Sequence, residues 1–458
     1  MLTTDLTAHD IDQLRAAVVG DVVAPGDADY ETARLAWNLT ATQRPALVVV
    51  ADRPDDILAA VNFAREHGLR VAAQGTGHNA GPLGEAADSV LVRTHKMRGV
   101  EIDVESRIAR VEAGALWMDV TTPASEHGLA ALSGSSPDVG VVGYSLGGGT
   151  GWLSRKLGLA TNSVTAIEIV TADGRLVRAD EHEHADLFWA LRGGGGNFGV
   201  VTAMEFRLYA LESIVGGAML WPAERSREVL HAWREWAATA PDEVTTSARI
   251  MNIPDIDGVP DMVRGRALVV IDGAVIGSVE EADAILAPLR ALEPEIDMFA
   301  QVPPVALSYI HMDPEEPIPG DSETAMLETA TPELIDVLVD QFEANPLLLL
   351  VELRQLGGEL ARAKQSAGAL AKFDGDFLFF AAGMSVPEIA EPLRAQLETI
   401  KKAVDEHGKR RDYLNFVEHG ADARAFYPAA TYARLQAVKS VYDPGNLFRA
   451  NHEIPPAA

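Results

Sequence analysis

Three stretches of this chain carry residues whose types and spacing could do chemistry. Gln74-Gly75-Thr76-Gly77-His78-Asn79-Ala80-Gly81 is a glycine-rich turn that follows an apolar run. Residues 133–164, SGSSPDVGVVGYSLGGGTGWLSRKLGLATNSV, hold glycines too dense for a regular element. Gly75, Gly77, Gly143, Gly147, Gly148, Gly149 and Gly151 would leave backbone N–H groups free to bind a diphosphate without basic side chains. No GxxxxGK[ST] sequence is present, so no lysine is supplied to reach terminal phosphates as in a nucleoside triphosphatase. A tightly held dinucleotide is the better reading. In the third stretch, LLLLVELRQLGG (347–358), Glu352 and Arg354 stand two apart on one face of a strand. They form either a salt-bridged or solvated pair or a group poised over a reactive centre. Tyr309 and His311 lie in a loop that could reach the same pocket, with His311 read as a surface residue.

The elements that must position these residues begin with a β-branched run at 46–51. The helix DRPDDILAAVNFAREHG follows, with Asp52 as N-cap, Pro54 in its first turn, Ile57, Leu58, Val61 and Ala64 on one face, and Gly68 at its stop. A second strand at 69–74 feeds the first glycine turn. A Rossmann fingerprint places its glycines between a first strand and its helix, so that fold is disfavoured. A strand at 89–94, a hairpin at 99–114, a helix after Trp117 and a second hairpin turning at Asp173-Gly174 complete a mixed sheet region. From about 213 amphipathic helices alternate with apolar strands and the glycine clusters vanish. Turn-rich chemistry returns near the end, where Pro444-Gly445 stops a helix. The division expected is 1–212, 213–404 and 405–458, the last segment rejoining the first domain.

Composition narrows the function classes. The 458 residues, 47% of them hydrophobic, suit two or three interlocked domains. Lys plus Arg number 38 against 67 Asp plus Glu, a formal charge of −29 that repels nucleic acid and anionic lipid surfaces. With no cysteine there are no disulfides, thiolate metal sites, Fe–S clusters or thiol catalysis, and no metal is expected. The start MLTTDLTAHDIDQLRAAV is acidic where a secretory signal needs a basic patch and an apolar run, so the reading is cytoplasmic. The apolar runs fall well short of the roughly 20 residues a membrane helix needs.

QGTGHNAG, the 133–164 segment with its continuation TAIEIVTADG, ADLFWALRGGGGNFGVVTAMEFRL, YLNF and VYDPGNLFRANHEIPP together resemble, in order and spacing, the berberine bridge enzyme-like flavoproteins. Those belong to the vanillyl-alcohol oxidase, or p-cresol methylhydroxylase, superfamily. The resemblance is strong over about 40–212 and 405–456 and loose between. It implies an α+β fold: a two-part FAD-binding domain of the p-cresol methylhydroxylase (PCMH) type and an antiparallel-sheet cap with helices on one face. It also implies FAD bonded through its 8α-methyl carbon to a ring nitrogen of His78, which should raise the flavin's reduction potential.

Carried over by position, Gln74, Gly75, Thr76, Gly77 and Asn79 would hold the diphosphate and flavin. Ser133, Ser136, Pro137, Gly140, Val141 and Gly143 would pass the ring, and Gly147, Gly148, Gly149 and Gly151 would lie against the cofactor. Gly199 and Val200 would line the adenine side, and Asn415 would sit beside the flavin. Where some members have a cysteine that makes a second bond to flavin carbon 6, this chain has Ser136, so a single covalent link is expected. Val142-Gly143-Tyr144 replaces a Gly-Gly-His pattern and alters the pocket. Val141 matches a position that, when small, leaves room for dioxygen. Catalytic candidates are Tyr413 as base, Glu352 and Tyr144. In an amine-oxidising member an acid matches Glu352, but a lysine and a second acid stand where this chain has Leu350 and Arg354, so an amine substrate does not carry over. The expected activity is oxidation of an alcohol, amine, sugar or secondary metabolite by hydride transfer to flavin N5, with dioxygen reduced to hydrogen peroxide. The alternatives are a dehydrogenase of the same fold and a flavin-binding protein without turnover. The expected assembly is a monomer or homodimer.

Overall fold

The β-branched run at 46–51 forms the strand Leu47–Val50, whose four side chains are all buried because both faces of the sheet are covered. It belongs to a five-stranded sheet in the order Asp21–Val23, Leu47–Val50, Ser89–Arg93, Arg70–Gln74, Phe448–Arg449, parallel except for its first pair. The computed structural model describes residues 6–457. Residues 1–5, part of the start read above for a leader, and residue 458 lie outside the described residues.

The helix Pro54–Glu66 crosses between the first two parallel strands and buries Ile57, Val61 and Ala64. Its N-cap is Arg53 rather than Asp52. No side chain caps its first turn; Asp56, inside the helix, instead accepts from the Asp52, Val19 and Gly20 N–H groups and ties the helix start to the turn before the strand Asp21–Val23.

A second five-stranded sheet is antiparallel throughout, in the order Val100–Asp103, Ile108–Glu112, Val200–Arg207, Val164–Val170, Leu176–Asp180. The glycine-dense segment between the two hairpins is not all loop, as expected above. It contains the short helices Val141–Leu146 and Ser154–Leu157 and a 3-10 turn at Ala160–Ser163. Glycines flank these helices, which are short enough to pass close to the neighbouring backbone.

The third sheet is antiparallel and lies within 214–384. Its path runs Ile296–Asp297, Ile214–Pro222, Ala267–Val275, Val244–Asn252, Leu350–Gln355, Phe377–Met384, Gly320–Leu327. Register sorts its side chains by chemistry. Met219, Ile271, Ala248, Leu353, Phe379 and Ala325 lie in one row and pack under the helices Ser226–Ala237, Val279–Arg290, Pro332–Ala344 and Ala390–Asp405. The rows on the other face carry Asp272, Ser247 and Arg354, then Arg249, Glu352, Phe380 and Thr324. A sheet with an apolar side beneath helices and a charged side that is equally buried needs something polar to face. The chain returns at its end to the first sheet, where Lys439 buries its ammonium between the Asp443 carboxylate and the Asn197 carbonyl. Phe448–Arg449 then pairs with Arg70–Gln74. The fold is α+β, and no helix among the described residues is long and apolar enough to cross a membrane.

Candidate active site

The strand Arg70–Gln74 delivers the first glycine turn to the seam between the sheets, and His78 is fixed there on three sides. The Trp37 indole stacks on its ring with centroids 4.1 Å apart and planes 16° from parallel. The Thr76 hydroxyl is 2.8 Å from Nδ1. The Asp138 carboxylate lies 3.6 Å from Nε2. Asp138 is itself held, since Trp37 Nε1 donates to one of its oxygens at 2.6 Å and Ser136 Oγ to the other at 2.8 Å. Burial works to raise the Asp138 carboxyl, but His78 and these two donors hold it below the ordinary carboxylate value.

Four buried polar atoms along this seam find no hydrogen-bond partner: Gln74 Oε1, His78 Nε2, Asn79 Oδ1 and the Tyr144 hydroxyl. Buried groups in native folds are rarely left so; His78 Nε2 faces the Asp138 carboxylate, and the other three describe a strip with unspent capacity for a polar ligand. The glycine segment supplies its floor. A Cβ on Gly147 would overlap the Asn415 amide, and Gly149 has φ +76° with the Tyr144 ring and Ala160 against it, so neither position admits a side chain. Beside Gly143 there is open space. Gly151 presses on the Ser133 carbonyl. Gly75 and Gly140 have only Thr94, Ala113 and Thr76 atoms near them. Val141 is fully buried at the head of its short helix, and the Pro137 carbonyl accepts from Met118 N. Gly199 and Val200 instead lie against Ile169 and Val170 within the domain core.

The C-terminal segment closes the strip. The Gly149 N–H donates to the Tyr413 hydroxyl oxygen at 2.8 Å, and Asn415 Nδ2 donates to the same oxygen at 2.9 Å and to the Tyr144 carbonyl at 3.0 Å. Asn79 Nδ2 donates to the Leu414 carbonyl at 3.0 Å. Burial pushes both phenols upward. For Tyr413 that outweighs its two hydrogen bonds and the nearby Arg354 charge; for Tyr144 the Tyr413 phenol adds to it. The candidates His78, Asn79, Tyr144, Gly147, Gly149, Tyr413 and Asn415 thus meet in one place.

Opposite stands the charged face of the third sheet. Glu352 is 1% exposed, forms an ion pair with Arg354, and lies 3.3 Å from His311 Nε2. His311 Nδ1 is 2.8 Å from Asp272, which also binds Arg249 and Ser247. The Arg354 guanidinium lies 5.1 Å above the Phe416 ring, three residues past Tyr413, so this cluster and the strip face each other. Burial opposes the ionised Glu352, but the Arg354 and His311 charges hold its carboxyl far below the ordinary range. For His311, burial and Arg249 work downward, and the Asp272, Asp313 and Glu352 carboxylates carry the ring above its usual value.

His311 corrects the expectation of a surface residue, being 2% exposed, while its loop neighbour Tyr309 is the exposed one at 47%. The loop brings the His311 ring between two buried carboxylates, Asp272 at Nδ1 and Glu352 near Nε2, each already paired with an arginine of the sheet. Trp37, Asp138, Asp272 and Arg249 were not singled out from the sequence. Each acts through a partner far along the chain, so no local motif marks it.

Residues 45–180 match the family described as FAD binding domain, and residues 412–455 that described as berberine and berberine like. The (R)-6-hydroxynicotine oxidase of Paenarthrobacter nicotinovorans is 27% identical over 96% of this chain and 97% of its own. The chitooligosaccharide oxidase of Gibberella zeae is 26% identical over 95% and 92%. Among solved structures, BBE-like 1 of Physcomitrella patens superposes with TM-score 0.84 at 19% identity, covering 98% of this chain and 99% of its own, a likeness of fold.

Proposed function

The chain belongs to the berberine bridge enzyme-like FAD-dependent oxidoreductases, and from that premise we propose that it is an oxidase carrying FAD on His78 and acting on a small hydroxyl- or amine-bearing molecule seated between the glycine strip and the charged cap face. The unspent polar atoms at Gln74, Asn79 and Tyr144 fit such a group, and the glycine floor supplies N–H donors without basic side chains. Bound there, FAD would supply a two-electron acceptor for a substrate hydride, with dioxygen as the final oxidant, reduced to hydrogen peroxide.

The protein's own part is to hold, orient and move a proton. His78 anchors the cofactor, and the single link follows from Ser136 standing where a second link would need a cysteine. Tyr413 accepts the proton that leaves the substrate hydroxyl or amine. Its oxygen is oriented by two donors that, with the nearby Arg354 charge, favour the phenolate, the form that can take that proton. The Tyr144 hydroxyl holds the substrate from the other side, and Glu352 keeps Arg354 aimed into the pocket. The observation that carries this reading is the Tyr413 hydroxyl, bonded to Gly149 and Asn415 of the cofactor strip, three residues before the Phe416 ring on which the cap's Arg354 lies.

The test is a panel of alcohols, sugars and amines offered in air. A substrate that bleaches the yellow protein should yield one peroxide per molecule oxidised; turnover that needs an added dye acceptor would make the protein a dehydrogenase instead. With that substrate, Tyr413→Phe should lower kcat/KM by about 10²- to 10⁴-fold. Because burial raises the phenol, the base form gains as pH rises, so wild-type kcat/KM should climb toward alkaline pH. The variant should lack that climb, and an unchanged profile would remove Tyr413 from the role.

A further inference from the structure

The environment of His78 is more specific than an anchor alone requires. A histidine that merely served as an attachment point would need space on one side. This one has an indole flat on its face, a hydroxyl at one nitrogen and a carboxylate at the other. The carboxylate cannot turn away, because each of its oxygens receives a donor, one of them the N–H of the same indole that stacks on the ring. Asp138 is also the residue between Pro137 and Val139 in the segment where other members place the cysteine of their second flavin bond.

We propose that Asp138 is a positioning residue for covalent attachment of FAD, holding the ring proton of His78 on Nε2 so that Nδ1 presents the lone pair that forms the bond. This rests on the reading that His78 carries the cofactor. A neutral imidazole has one N–H and one bare nitrogen, and the group facing each nitrogen decides which is which. A carboxylate is an acceptor only, so the nitrogen nearest it keeps the proton, as with the carboxylates that stand behind metal-binding histidines. Thr76, which caps Nδ1 by donating its hydroxyl, turns aside to admit the flavin methyl.

Attachment replaces one C–H of the 8α-methyl group and the ring's N–H with a C–N bond. The two electrons and two protons released pass to dioxygen, giving hydrogen peroxide. As the C–N bond forms, positive charge builds on the imidazole, and Asp138 both offsets it and is placed to take the Nε2 proton.

The measurement is the share of total flavin that stays with acid-precipitated protein, and the rate at which that share grows when FAD is added to protein prepared without it. In Asp138→Asn an amide N–H can face Nε2 and favour the wrong tautomer. Attachment should slow by about 10²-fold, the lower end of what a positioned proton acceptor contributes. FAD should still bind before denaturation, because the glycine strip is untouched. Asp138→Glu should recover part of the rate. Trp37→Phe, which keeps a ring on His78 but removes the donor that orients the carboxylate, should fall between wild type and Asp138→Asn, and it carries the test if Asp138→Asn does not fold. Wild-type rates in Asp138→Asn, or in Trp37→Phe where that variant carries the test, would overturn the proposal. A wild-type protein that itself releases all its FAD into acid would overturn the anchor reading, and with it this one.

Discussion

A His78→Ala variant is expected to release all of its flavin into the supernatant on acid precipitation and to show no flavin fluorescence on a denaturing gel. The native protein should still bind some FAD, because Gln74, Asn79, the glycine strip and Asn415 remain to hold it. What disappears is the acid-stable fraction, a change from complete to none. A second consequence is electronic. The linked imidazole withdraws electron density from the ring, so the variant's bound FAD should have a lower reduction potential and accept hydride more slowly. Removing His78 also frees Asp138 and leaves Trp37 stacked on nothing. His78→Gln, which is closer in size, separates that packing loss from the loss of the bond. Acid-stable yellow colour in either variant would place the link elsewhere.

The second large effect is expected at Glu352. Its carboxylate is fully buried and is the counter-charge to both Arg354 and His311. Breaking a buried ion pair by removing one partner costs about 3–5 kcal/mol, because the other partner is left charged in a poor solvent. Glu352→Gln keeps the shape and removes the charge, so thermal unfolding should show most of that loss. Turnover should fall by about 10²-fold or more as Arg354 loses its aim, on the scale of other losses of a positioned group. The pH dependence has a definite sign. The folded carboxyl is held far below its ordinary value, so its stabilisation is complete above the unfolded value of about 4.3 and is lost only as pH falls through the lower folded one. The gap in melting temperature between wild type and variant should therefore stay constant from neutral pH to about pH 5 and narrow only in stronger acid. A gap that instead grew as pH fell through the neutral range would tie the effect to His311, whose raised ring gains from Glu352 only when protonated.

The parts of this molecule that were legible in its sequence are those set by short-range pattern. The β-branched run at 46–51, the helix stopped at Gly68, the two hairpins and the alternation that puts Glu352 with Arg354 on one face of a central strand all follow from periodicity and turn residues. The glycine turn stood out by its spacing with the later glycine segment, and the role read for His78 came from the family resemblance those segments carry. What stayed hidden depends on distant pairing. His311 looked like a loop residue bound for the surface, since nothing near it in the sequence says that Asp272 and Glu352, 39 and 41 residues away, fold against its ring. Asp138 was not singled out, because its partner Trp37 lies 101 residues earlier. In each case a buried polar group was satisfied by a residue brought in by the fold.

The most direct measurement is the mass of one peptide. Trypsin cuts after Arg70 and Arg93, releasing residues 71–93, VAAQGTGHNAGPLGEAADSVLVR, which contain a single histidine. Digestion of the purified protein should give this fragment heavier by one flavin, with fragmentation assigning the added mass to His78. The same fragment at its unmodified mass, from protein that is yellow before digestion, would contradict the account.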